Sequence, residues 1–129
     1  MFSPETILKT ILVIDDEPEI REVLRTVLTR SGYQVVLAED GVECTAVFAA
    51  RKVDLVITDL LMPRQEGIET ILQLRNDHPN TPIIAMSGGG RMAGTMDILH
   101  TAKLLGAVRT FSKPFNPMEM IEAVKLLLV

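Results

Sequence analysis

The chain has 129 residues, 47% hydrophobic and 23% charged, the size of one domain with enough apolar side chains for a sizeable core. A formal net charge of −4 offers no field for nucleic acid or an anionic membrane surface, and no apolar stretch nears the roughly 20 residues needed to cross a bilayer. The single cysteine, Cys44, excludes an intramolecular disulfide and a Cys/His metal cluster, which fits a reducing, cytoplasmic compartment. Residues 1–9 lack the basic and apolar regions of a signal peptide and read as a short extension ahead of a core at about 10–128, so that 1–129 forms one domain.

The apolar pattern alternates between short continuous runs and segments of helical period, the signature of strands and helices around a parallel sheet. The run Ile11-Leu12-Val13-Ile14 is the first strand. The first helix follows with Ile20, Val23, Leu24, Val27 and Leu28 at i, i+3, i+4, i+7 and i+8, Pro18 in its first turn and Gly32 past its end. Val35-Val36-Leu37-Ala38 is the second strand, and Asp40 with Glu43 has the spacing of an N-cap and its partner at the start of the second helix. Leu55-Val56-Ile57 is the third strand; a third helix runs from about Glu66 to Arg75 on Ile68, Ile71 and Leu72. Ile83-Ile84-Ala85-Met86 is the fourth strand, and a glycine-rich stretch from Ser87 to Gly94 leads to a fourth helix from near Thr95 to before Gly106, using Ile98, Ala102 and Leu105. Ala107-Val108 with Phe111 gives the fifth strand, and Asn116, Pro117 and Glu119 open the fifth helix. Most strand candidates are apolar on both faces, as buried parallel strands are.

Polar groups stand where these strands should stop: Asp15 and Asp16 after the first, Asp59 after the third, Ser87 after the fourth and Lys113 after the fifth. In an open, doubly wound α/β sheet of order 2-1-3-4-5, all strand carboxyl ends open onto one crevice, and the first and third strands flank its switch point. Three carboxylates gathered there repel one another by about 4 kcal/mol per pair at 4 Å and an effective dielectric near 20, a cost that a bound cation removes. An all-oxygen ligand set with room for water suits Mg²⁺. Beside such an ion a carboxylate can act as nucleophile toward a phosphoryl group, with an ammonium and a hydroxyl completing the cradle.

The segments Ile11-Leu12-Val13-Ile14-Asp15-Asp16-Glu17-Pro18, Ile57-Thr58-Asp59-Leu60-Leu61-Met62-Pro63 with Gly67, Ala85-Met86-Ser87-Gly88, and Phe111-Ser112-Lys113-Pro114-Phe115 resemble the receiver domain of bacterial two-component response regulators. The resemblance covers nearly the whole chain and implies a flavodoxin-like fold. By position it makes Asp59 the phosphoacceptor, Asp16 a fellow Mg²⁺ ligand, Asp15 a ligand through a metal-bound water, and the Leu61 carbonyl a further ligand. Ser87 becomes the switch hydroxyl and Lys113 the phosphate-binding lysine, with a cis peptide before Pro114. The donor it implies is a histidine kinase or a histidine phosphotransfer protein. The output is an unidentified protein or fused domain reached through the face of the fourth helix, fifth strand and fifth helix, where a homodimer can also form. The chain is then a signalling switch that assists its own phosphorylation and dephosphorylation, not an enzyme acting on a separate substrate.

Three positions depart from the family pattern. Thr110 stands where many receivers carry an aromatic switch residue, and alternation sends Phe111 to the opposite face, into the core. Leu61 and Gly89 offer no polar side chain to hydrolytic water, and Gly88 and Gly89 begin a loop longer than usual, so the switch region of Gly88, Gly89 and Thr110 is atypical. Singly, each site residue has an ordinary explanation: Asp16 as a helix cap, Asp59 as a turn former, Ser87 as a loop hydroxyl, Lys113 as a surface charge. Their joint occurrence in order favours the receiver over two rivals. One is a pseudo-receiver acting as a constitutive binding module. The other is an aspartyl-phosphate phosphatase of the haloacid dehalogenase kind, which would need an aspartate where Leu61 stands.

Overall fold

The structure, a computed structural model, describes residues 8–60, 67–88 and 95–129, with 95–99 described by backbone alone. The apolar runs form β1 (Thr10–Ile14), β2 (Gln34–Ala38), β3 (Leu55–Asp59), β4 (Ile83–Ser87) and β5 (Arg109–Ser112), all parallel, in one sheet of order β2-β1-β3-β4-β5. Between them lie α1 (Pro18–Arg30), α2 (Gly41–Ala50), α3 (Gly67–Asp77), α4 (Thr95–Leu105) and α5 (Pro117–Leu127). The chain leaves β1 toward one edge and β3 toward the other, which opens the crevice between their carboxyl ends.

Strand alternation divides the core into two layers. Ile11, Val13, Leu55, Ile57, Ile84 and Met86 pack with Leu24 and Leu28 of α1 and Met120 and Val124 of α5. Leu12, Ile14, Val56, Ile83 and Ala85 pack on the other face with Cys44 of α2, Ile71 and Leu74 of α3 and Ala102 of α4. Each fully buried large aliphatic side chain stabilises the fold by about 1.5–3 kcal/mol, so β1, β3 and β4 form a rigid floor for what projects from their ends.

The helix ends follow local chemistry. Asp40 accepts the Glu43 amide at 3.0 Å, while the Glu43 carboxylate reaches back to the Glu39 amide at 2.6 Å, one residue before the usual capping-box partner. Asn116 accepts the Met118 amide at 2.8 Å ahead of Pro117. At the start of α3 the Gly67 amide donates to Leu60 at 3.1 Å, and a Cβ there would sit 2.7 Å from the Asp59 carbonyl oxygen, so only glycine lets α3 begin this close to β3.

Some sequence expectations are corrected. Val23 and Leu72 fit the helical stripe but are 42% and 49% exposed, and Leu74, at 3%, takes the buried place in α3. Ala107 and Val108 precede β5: the Ala107 amide closes α4 onto Ala102 at 2.9 Å after Gly106 at φ 127°, and Val108 is 43% exposed. Phe111 does enter the core beside α5, opposite in sense to the half-buried Thr110. Asp59 and Ser87 are the last residues of β3 and β4 and not the first beyond them. Among the described residues no helix is long and apolar enough to cross a membrane.

Candidate functional site

The loop after β1 is fixed by its own backbone. The Asp15 amide donates to Ala38 at 3.1 Å, Asp15 Oδ1 accepts the Glu17 amide at 2.8 Å in an Asx turn, and Arg21 Nη1 donates to the Asp15 carbonyl at 2.7 Å. Asp15 is thereby fully buried at the strand end while Asp16 faces solvent. Asp59 ends β3 opposite Met86 and is 3% exposed. Ser87, fully buried, ends β4, and its carbonyl accepts the Lys113 amide at 2.8 Å, which carries the β4–β5 ladder one residue past β5 and brings Lys113 to the same edge. The Lys113–Pro114 peptide is cis. The lysine stem lies along Gly88, where a Cβ would meet Lys113 Cδ at 3.4 Å.

These strand ends bring carboxylate oxygens of Asp15, Asp16 and Asp59 within 4.8 Å of one another. Lys113 Nζ sits among them, 2.6 Å from Asp15 Oδ2, 2.9 Å from Glu17 Oε1 and 3.5 Å from Asp59 Oδ1. Burial pushes the Asp15 carboxyl above its ordinary range despite the hydrogen bonds from Lys113 and the Glu17 amide. For Lys113 burial opposes the charge, but hydrogen bonds to Asp15 and Glu17 and the attraction of Asp59 outweigh it, and the ammonium is held above its usual value. One ammonium thus leaves the desolvation of Asp15 only partly offset, and the all-carboxylate donor set is of the kind that hard, oxygen-seeking divalent cations prefer.

The structure therefore gathers Asp15, Asp16, Asp59 and Lys113 and places Ser87 at the adjoining strand end. Thr110 stands opposite Ala85 in the β4–β5 ladder. Leu61 and Gly89 lie outside the described residues. Glu17 is a site residue that sequence reasoning missed: its partner is 96 positions away. The available signal was a glutamate at the N-cap of α1, where the shorter Ser, Thr, Asp or Asn is favoured; Glu17 makes no side-chain cap, leaving its carboxylate for Lys113.

Comparison with known proteins agrees with this arrangement. The sequence profile of the response regulator receiver domain matches residues 11–125. Response regulator GtcR of Aneurinibacillus migulanus is 38% identical over 117 residues, 91% of this chain and 46% of that protein. Sporulation initiation phosphotransferase F of Bacillus subtilis is 33% identical over 115 residues, 89% of this chain and 90% of that protein. The chain spans about half the length of GtcR and of the regulators that match similarly, between 46% and 52%. Among solved structures, the receiver domain of NtrX from Brucella abortus superposes with a TM-score of 0.84 at 28% identity, covering 92% of this chain and 97% of that one. Chemotaxis response regulator CheY4 of Vibrio cholerae gives 0.80 at 27% identity, covering 94% and 99%. With the profile spanning nearly the whole chain and the predicted strand order realised, the chain belongs to the response regulator receiver domain family of two-component signalling.

Proposed function

We propose that this receiver is an active phosphoacceptor and that Asp59 takes the phosphoryl group from the phosphohistidine of a histidine kinase or histidine phosphotransfer protein. The observation that carries this reading is the position of Asp59: a nearly buried carboxylate on the central strand, within 4.8 Å of two more carboxylates and 3.5 Å from an ammonium. Asp59 Oδ attacks phosphorus in line, the histidine N–P bond breaks as the O–P bond forms, and the imidazole nitrogen regains a proton. Asp15, Asp16 and Asp59 would hold Mg²⁺, which when bound supplies the positive charge that lets an anionic phosphoryl group approach an anionic nucleophile. Lys113 exchanges its contacts to Asp15 and Glu17 for a phosphoryl oxygen, and the Ser87 hydroxyl donates to another.

Those two movements start the switch. Ser87 and Lys113 are joined through their backbones, and Thr110 lies one strand away from Ala85, so the displacement passes along the β4–β5 ladder without an aromatic residue at 110. The α4–β5–α5 side exposes Leu104, Val108, Met118 and Leu126, an apolar surface suited to an output protein, a fused output domain or a second copy. Moving such a two-state equilibrium from 1:99 to 99:1 takes roughly 5.5 kcal/mol of differential binding, within reach of a phosphoryl group held by an ion, a hydroxyl and an ammonium together.

Incubation with acetyl phosphate and Mg²⁺ tests the reading. A hydroxylamine-labile phosphoryl adduct that forms with Mg²⁺ and is absent with EDTA is expected. No adduct with acetyl phosphate or any histidine donor would leave the pseudo-receiver in its place, and steady turnover of a phosphomonoester would leave the phosphatase.

A further inference from the structure

The outer face of α2 is the part of the surface that the receiver mechanism leaves unexplained. Solvated helix faces carry charge, and in this chain they do so elsewhere: α1 exposes Glu19, Glu22, Arg25 and Arg30, α3 exposes Glu69 and Asp77, and α5 exposes Glu119, Glu122 and Lys125. On α2, Val42, Thr45, Ala46, Ala49 and Ala50 are all exposed, Val42 at 65%, and together they occupy an arc about 140° wide at 100° per residue. Glu43 at its border is the helix's one charged side chain, and it is occupied with the Glu39 amide. The face continues sideways onto the edge strand β2, where Val35 and Leu37 floor a groove beside Ala46 and Ala50, with Arg25 and Arg51 also in its lining.

The ends of this face differ in sign. Glu39 and Asp40 precede α2, Asp40 capping it, and Arg51 and Lys52 follow it, with Glu39 exposed and the Lys52 side chain 88% exposed at 3.8 Å from Asp54. A surface that is acidic at one end, basic at the other and apolar between is complementary to itself when turned end for end.

We propose that this face pairs with the same face of a second copy of the chain, antiparallel about a twofold axis near Ala46. That axis sets Val42 of one copy opposite Ala50 of the other and Asp40 opposite Lys52, with Glu39 and Arg51 flanking that pair, so each copy receives the same contacts it gives. Alanines at the crossing let the two helix backbones approach closely, and the charged ends fix the direction, since a parallel pairing would set like charges together. One helix face and a strand edge fall short of the roughly 800 Å² per partner of a standard stable interface, so the dimer forms in the upper micromolar range and responds to local concentration. The proposal stands apart from phosphorylation and from the α4–β5–α5 surface.

Sedimentation velocity over a concentration series up to about 0.5 mM reads the association. The unmodified chain is expected to move from its 14.3 kDa monomer toward twice that mass, and Ala46→Arg, which leaves the buried side of α2 untouched, to remain monomeric with an unchanged melting temperature. Glu39→Lys and Lys52→Glu each weaken association about tenfold or more, and the double variant recovers most of the loss. Ala46→Cys forms a disulfide-linked dimer under mild oxidation and Leu126→Cys does not, Cys44 being too buried to compete. A wild-type chain that is monomeric throughout, a double variant no better than the singles, or cross-linking at Leu126 with none at Ala46 would each overturn the proposal.

Discussion

Replacing Asp59 by asparagine removes the proposed nucleophile and also changes the electrostatics of the crevice by an amount the distances allow. The carboxylate gains about 4.7 kcal/mol from Lys113 at 3.5 Å, taking an effective dielectric near 20, and loses at least about 3.5 kcal/mol to Asp15 within 4.8 Å. The exposed Asp16 adds a screened repulsion, so these terms nearly cancel. What is left is the cost of keeping a carboxylate at 3% exposure, several kcal/mol per ion against about 1–3 kcal/mol for an amide. Asp59→Asn should therefore be more stable than the unmodified chain in EDTA, by about 1–3 kcal/mol, or roughly 4 °C of melting temperature per kcal/mol for a domain of this size. Urea unfolding followed by circular dichroism measures it. The unmodified chain should gain stability with Mg²⁺, about 2.7 kcal/mol at a hundredfold excess over Kd, and the variant much less. A variant less stable than the unmodified chain in EDTA, or one that gains as much from Mg²⁺, would refute the reasoning.

Lys113→Ala leaves Asp15 buried without its ammonium and should cost about 3–5 kcal/mol at neutral pH, part of it restored by Mg²⁺ in the same urea titration. Because the folded-state pKa of Lys113 is raised, its stabilisation is complete below the ordinary lysine value of 10.5 and is lost as pH climbs through the higher folded value, so the two proteins should converge only in strong alkali. Leu74→Ala should destabilise the fold by about 2–5 kcal/mol and Leu72→Ala by less than about 0.5, measured as urea midpoints, because only the former empties a core position. Burial pushes the Cys44 thiol up to about 11, so iodoacetamide near pH 8 should label the native protein only as fast as it opens, whereas labelling at the rate of the urea-unfolded chain would contradict the burial.

The sheet and its functional edge were legible because a parallel strand buried on both faces forces an apolar run, and a polar residue ending such a run has little choice but the crevice. Asp15, Asp59 and Ser87 could be placed by that logic alone, each within a residue or two of its strand end. Helix faces were harder: in α1 and α3 the apolar residues exceed what one face can bury, so Val23 and Leu72 satisfied the spacing yet turned outward. β5 was misplaced by two residues because Ala107 and Val108 look like strand, whereas the Ala107 amide closes α4 onto Ala102 and the Val108 amide, on the Ile83 carbonyl, only leads into the ladder. The Glu17–Lys113 pair was invisible in sequence for a different reason: nothing local marks an ion pair across 96 positions, and only the β1 and β5 ends meeting at one edge creates it.

The central claim is that the phosphoryl group resides on Asp59 itself. Treatment of the acetyl phosphate-modified protein with borohydride reduces an acyl phosphate to an alcohol, and peptide mapping then locates the converted residue. Conversion of Asp59 to homoserine, dependent on Mg²⁺ and lost in Asp59→Asn, is the predicted result. Conversion at Asp15 or Asp16, or a phosphorylated protein with Asp59 unchanged, would contradict the account.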